Sequence, residues 1–155
     1  MPRVYTVEFN AVALSAQQDL ISLLAGTNQP VIMMELGLSQ STDVSDANEK
    51  EWNLVLKSGA TTAGSAGSSV TPVPVDFGDS AAGATARAND TTIASAGTIV
   101  THLAWNWNVR VPFQYIWMPE TRIVIRPARR IVFGLATTPN AATTCSGYAV
   151  FQEIG

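Results

Sequence analysis

The chain has 155 residues, 46% of them hydrophobic and only 14% charged, with a formal net charge of −3. That is enough for one domain with a real core and short for two. The low charge leaves a surface of Ser, Thr, Ala, Asn and Gly, easily buried against partners, and the negative balance lacks the cationic footprint of a phosphate-backbone binder, so nucleic acid is not an expected partner.

Side chains on a half-buried strand repeat every two residues, and this period recurs along the chain. Tyr5, Val7 and Phe9 share one face of the first segment, opposite Thr6, Glu8 and Asn10. The opening residues enter this strand pattern at once, without an apolar leader, and no apolar run is long enough to span a bilayer. Over 19–24 both a short helix and a strand fit: Ser15–Gln18 reads as a capping box and Leu20, Leu23 and Leu24 have helical spacing. The balance lies slightly with the strand. Ile32, Met34, Leu36 and Leu38 are expected on one face, opposite Met33, Glu35 and Ser39. Trp52, Leu54 and Leu56 form the next stripe.

A tract from Ser58 to Thr98 is then rich in Gly, Ser, Ala and Thr. Its composition is that of a linker, but Val70, Val73, Val75, Phe77 and Ile93 are interspersed. Loops this long inside a domain are usually functional or pinned by a neighbour. It is expected to be an extended surface excursion, ordered by something outside it, with weak strands around Val73–Val75 and Thr85–Ala88.

The longest alternation follows: Ile99, Leu103, Trp105, Trp107, Val109 and Val111 against His102, Asn106, Asn108 and Arg110. Pro112 lacks the N–H that a central strand needs and is expected to end or bend that ladder. Phe113, Tyr115 and Trp117 come next, then Ile123 and Ile125 opposite Arg122 and Arg126, then Ile131, Phe133 and Leu135. Tyr148, Val150 and Ile154 close the chain. The fold class expected is all-β: one domain over residues 1–155, an antiparallel two-layer β-sandwich of jelly-roll type with long Gly/Ser-rich loops.

No residue set converges on a reaction centre, so no catalytic, cofactor-binding or metal-ligating residue is assigned and the chain is expected not to be an enzyme. The one histidine, His102, lies opposite Leu103 and Trp105 and reads as a surface residue, and a G-x-S-x-G elbow is absent. Asp43, Asp46, Glu49 and Glu51 lack the alternation and central Gly of a calcium loop and read as a solvated acidic loop. Asp76, Asp79 and Asp90 read as turn formers. Gly64-Ser65-Ala66-Gly67 lacks the Lys of a phosphate-binding loop, and the sequon at Asn89-Asp90-Thr91 reads as accidental. Cys145, the lone cysteine, excludes an intrachain disulfide or cysteine-based zinc site and reads as a small packed residue. Trp105, Trp107, Tyr115 and Trp117 read as core in preference to a sugar platform. Arg122, Arg126, Arg129 and Arg130 are the basic concentration of the chain. Arginine suits protein contacts because its planar fork pairs with carboxylates, so these four are the candidate interface.

Several stretches together carry a resemblance: Met1-Pro2-Arg3-Val4-Tyr5-Thr6-Val7-Glu8-Phe9, Ala16-Gln17-Gln18-Asp19-Leu20, Leu36-Gly37-Leu38-Ser39-Gln40-Ser41, Asn89-Asp90-Thr91-Thr92, Asn108-Val109-Arg110-Val111-Pro112 and Ser146-Gly147-Tyr148. The pattern resembles the jelly-roll cement or decoration proteins of tailed-bacteriophage capsids and covers nearly the whole chain. It implies a homotrimer, or another small cyclic oligomer, made in the host cytoplasm and bound to the major capsid protein on the exterior of the virion. It brings no catalytic residues and no cofactor. A tail or neck component with the same sandwich, or a carbohydrate-binding β-sandwich module, are the alternatives.

Overall fold

The computed structural model describes residues 2–42 and 51–155. In chain order the strands are β1 (Arg3–Leu14), β2 (Asp19–Leu24), β3 (Val31–Gln40), β4 (Glu51–Thr62), β5 (Ser68–Val70), β6 (Val73–Pro74), β7 (Thr85–Asp90), β8 (Ser95–Asn108), β9 (Phe113–Ile116), β10 (Val124–Ile125), β11 (Arg130–Leu135) and β12 (Thr143–Glu153). A single 3-10 turn, Pro119–Thr121, is the helical element among the described residues, and none of them forms a helix long and apolar enough to cross a membrane.

The strands make two antiparallel sheets. The first runs β10-β3-β12-β1-β6, with β9 following β10's side of β3. The second runs β5-β7-β2-β11-β4-β8. Successive strands mostly jump between layers: β1, β3 and β12 lie in the first sheet, and β2, β4 and β11 in the second. Without the insert between β4 and β8, the sheet orders are β9/β10-β3-β12-β1 and β2-β11-β4-β8, the two interlocked Greek keys of a jelly roll. The expected fold class is therefore the observed one, and 19–24 is a strand.

The apolar alternation fills the space between the layers. Tyr5, Val7 and Phe9 from β1, Leu54 and Leu56 from β4 and Phe151 from β12 all lie in one buried cluster, where Tyr5 and Phe151 stack at 5.6 Å between ring centroids. Burying each such side chain contributes about 1.5–3 kcal/mol. Trp107 and Trp117 are buried, and Trp105 packs on Phe113, Tyr115 and Phe133. The aromatic group is thus core, and it ties β8 of one sheet to β9 of the other. The ladder expected to reach Val111 ends at Asn108, before Pro112. After β8 the chain turns at Val111, whose N–H donates to Asn108 O (3.0 Å), and the next strand joins the opposite sheet.

Three stripes differ from the alternation read from sequence, each for a local reason. In β3 the buried residues are Val31 and Met33, then Leu36 and Leu38. Val150 pairs with Glu35 but Phe151 with Met33, so Met34 is an extra residue that switches the face. Its carbonyl accepts the N–H of Trp117 (3.0 Å), at the point where β9 stops pairing with β3. In β8, Leu56 pairs with Leu103 and Lys57 with Thr101, so His102 is bulged out. The stripe does not run through: Ile99 is 45% and Val111 59% exposed. In β12 the inward face is Cys145, Ala149 and Phe151, while Tyr148 and Val150 face outward. Ring space explains that choice, because Tyr148 lies over Gly37, where an added Cβ would come within 2.0 Å of its ring.

The tract 58–98 also differs. β4 runs on to Thr62 and β8 begins at Ser95, so the insert proper is 63–94. Its strands at Val73–Pro74 and Thr85–Asp90 are the two expected, with β5 in addition. It pairs with strands of its own domain. β7 pairs with β2, β5 with β7, and β6 with Tyr5 and Thr6 of β1. The insert thereby covers one lateral flank of the sandwich on both sheets.

At the base of the β4–β8 arm, Gly59 has φ 95° and a Cβ there would lie 1.9 Å from Thr98 O. Gly59→Ala is expected to lower the unfolding free energy by more than about 1 kcal/mol. Gly78→Ala, where only Asp76 Oδ1 lies near at 3.4 Å, should change it by less than about 0.5 kcal/mol. Urea unfolding of both variants checks this, and equal effects would contradict the packing described.

Candidate functional site

Two polar regions stand out, one buried and one open. The buried one was invisible as a unit in the sequence. Asp19 opens β2 and Asp90 ends β7, and the two are direct cross-strand partners. Both are buried, at 1% and 0% exposure. Opposed like charges are unfavourable, and here cations and backbone N–H groups offset them. Arg87 grips Asp90 through Nε (2.9 Å to Oδ2) and Nη2 (2.7 Å to Oδ1), and Gly67 N–H donates to the same carboxylate (3.0 Å). Ala94 N–H donates to Asp19 Oδ2 (2.6 Å), and Lys57 Nζ lies 3.5 Å from Oδ1.

A third buried carboxylate, Glu153 at the end of β12, accepts N–H bonds from Gly83 (3.1 Å) and Ala84 (2.5 Å). All three carboxylates hold backbone of the insert. Asp90, read as a turn former, is therefore a buried anchor. Asp76 does make its turn, accepting Gly78 N–H at 2.9 Å. Asn89 sits at φ 58° and accepts from Gln18 Nε2 (3.2 Å), so the sequon is folded into the same knot.

The four candidate interface arginines separate. Arg130 is a correction to the surface reading. It is buried, its Nη1 donates to Ser22 Oγ (3.0 Å), and burial pulls its pKa down against the opposing pull of Asp19 and Asp90. It belongs to the buried charge cluster, and what remains of its surface lines two grooves. Arg122 is half-buried beside the 3-10 turn, with Nε enclosed and unbonded. Arg126 and Arg129 are exposed and border an open groove of about 400 Å3 between β8 and β10. Neither has a carboxylate partner among the described residues.

His102, bulged from β8, borders this groove and a second of about 490 Å3 that continues past Tyr115, Trp117 and Met118. Its Nε2 lies 2.7 Å from Ser58 Oγ. Among the described residues no carboxylate orients its other ring nitrogen, so the contact is a Ser–His hydrogen bond without the third member of a triad. Asp43, Asp46 and Glu49 lie outside the described residues. Glu51 is exposed at the start of β4. No group of three or more His, Cys, Asp or Glu among the described residues is arranged to hold a metal ion. Cys145 is fully buried, and burial pushes its thiol up to about 12.

No protein-family model matches the chain, and no curated protein matches it in sequence. Solved structures similar to it include one of the Gt strain of infectious bursal disease virus, at 17% identity and a TM-score of 0.20 over 99% of this chain and 40% of that one. Another is a VP2 subviral particle of the same virus, at 14% identity and a TM-score of 0.21 over 99% and 41%. This chain thus spans about two-fifths of the length of those chains. Scores this low carry no argument about role.

Two outcomes follow from the buried groups. Desolvation raises the Asp19 pKa above its ordinary 3.8, against the pull of Ala94 N–H and Lys57. The folded chain then holds this proton more tightly than the unfolded chain. The stability due to Asp19 is full below pH 3.8 and falls as pH rises through its folded value. Asp19→Asn removes that term, so between those two values its stability relative to the parent should rise with pH, by at most about 1.4 kcal/mol per pH unit. Urea titrations at stepped pH check the slope, and parallel curves would contradict it. Cys145 should react with a thiol-directed disulfide reagent at neutral pH only at the rate of unfolding, and rapid native labelling would contradict its burial.

Proposed function

We propose that this chain is a non-enzymatic structural protein of a virion, a capsid cement protein that binds the major capsid protein on the outside of the head as a small cyclic oligomer, a trimer. The observation that carries this reading is the open flank of the sandwich. Along it β8 is a 14-residue outermost strand, with no charged residue except the titratable His102. Ile116, Met118 and Val124 stand 63%, 67% and 57% exposed on the neighbouring β9–β10 side. An unpaired edge bordered by exposed apolar side chains is a surface made for protein contact.

The rest of the molecule supports adhesion. The two layers are locked by a core between them and by an insert bonded at three buried carboxylates, so the flank is presented on a rigid body. Rigid presentation limits the ordering entropy lost on binding. Repetition of weak contacts across a lattice of identical sites adds avidity that a single contact lacks. The family resemblance of the strand and turn segments supplies the virion setting. The carbohydrate reading is the weaker one, since Trp107 and Trp117 are at most 4% exposed and Trp105 and Tyr115 are half-buried against the core.

The test uses empty heads of the parent particle and the purified chain. The chain is expected to bind at a fixed number of copies per capsomer and to raise the temperature at which the heads break. No binding at micromolar concentration would overturn the reading.

A further inference from the structure

We propose that the groove between the β4–β8 arm and β10 is a docking site for an extended acidic segment of a partner protein, which places carboxylates on Arg126 and Arg129. This rests on the adhesive reading above and says how the contact is made. The geometry starts from one turn. Arg126-Pro127-Ala128-Arg129 is closed by Arg129 N–H to Arg126 O at 3.1 Å, with Pro at the second position and Ala128 at φ 56° in the third. That is the form of a type II turn, which brings its end residues together and normally places glycine where Ala128 stands.

The neighbours hold the turn in this shape: Ala128 N–H donates to Gly26 O (3.0 Å) and Ala25 N–H to Arg129 O (2.9 Å). The rigid turn thus carries two exposed arginines at its ends, with no carboxylate of the described chain to neutralise them. Like charges held together repel unless an anion lies between them, and the guanidinium fork pairs best with carboxylate or phosphate.

The groove's shape selects among anions. Its volume of about 400 Å3 exceeds a lone ion, its wall includes Ile123 and Val124, and its other border is the paired β4–β8 arm at Ser58, Gly59, Thr98 and His102. Apolar wall and cations together match an extended peptide with alternating apolar and acidic side chains, laid along the groove. A nucleic acid would meet a chain of net charge −3 with no basic stripe beyond these residues.

The probe is a capped peptide of about ten residues, roughly the length of a strand that spans the groove, alternating glutamate and valine. Its lysine counterpart and inorganic sulfate are the comparison arms, all followed by calorimetric titration of the full chain. The glutamate peptide should bind at least about tenfold more tightly than the lysine peptide, and more weakly as salt rises. The Arg126→Glu/Arg129→Glu variant should lose about tenfold or more while keeping its unfolding midpoint, and Arg129→Gln alone should lose less. Millimolar sulfate should not displace the peptide. Equal binding of both peptides, an unaffected double variant or displacement by millimolar sulfate would overturn the proposal.

Head binding separates the two readings. If the parent chain and the double variant bind heads equally, the groove proposal fails and the adhesive reading stands. If the parent chain ignores heads yet binds the glutamate peptide through the two arginines, the adhesive reading fails and the groove stands.

Discussion

The structure depends on a pair of carboxylates that the fold forces into contact away from water. Asp19 and Asp90 face each other across β2 and β7, and neither is exposed beyond 1%. A buried charge without partners is strongly destabilising, so this pairing exists only because Arg87, Lys57 and the N–H groups of Gly67 and Ala94 converge on it. The same bonds fasten an insert that has too few large apolar side chains to fasten itself. Glu153 repeats the device at the far end of the insert, holding Gly83 and Ala84. Removing one of these acids would free a stretch of backbone as well as a charge.

That constraint explains the composition of the insert. Gly64 and Gly67 approach the Asp90 carboxylate so closely that a Cβ on either would meet it within 2.8 Å. Ala94 packs with Ala60 and Val132 in a small second cluster. Small residues are there because backbone must reach a carboxylate, and a larger side chain would hold it off. What reads in sequence as a flexible linker is a closely fitted strap.

The strap also gives the sandwich two unlike flanks. On one side β5, β6 and β7 extend the sheets and cover their borders. On the other, β8 and the short β9 and β10 are the outermost strands, joined across the layers by the contacts of Trp105 with Phe113 and Tyr115. Edges left free invite pairing unless they are blunted. Here the His102 bulge interrupts the edge midway, and the positive φ of Ala96 and Gly97 twists the arm beyond it. Flank asymmetry of this kind directs contact to one side of the molecule.

Much of the framework was legible in the residues themselves. The period of two in Tyr5-Val7-Phe9 and Trp52-Leu54-Leu56 set the all-β class and the inward faces, because alternation is a property of neighbours along the chain. The end of β8 was placed too late: a turn from Asn108 to Val111 stops the strand before Pro112 is reached. Bulges at Met34 and His102 were not legible, since an extra residue is defined by the partner strand's register. The burial of Arg130, the pairing of Asp19 with Asp90 and the isolation of Arg126 with Arg129 were decided by tertiary structure alone. Each depends on which groups meet across 70 or more positions or on which acids fail to arrive, and the electrostatics of a side chain is set by its neighbours in space.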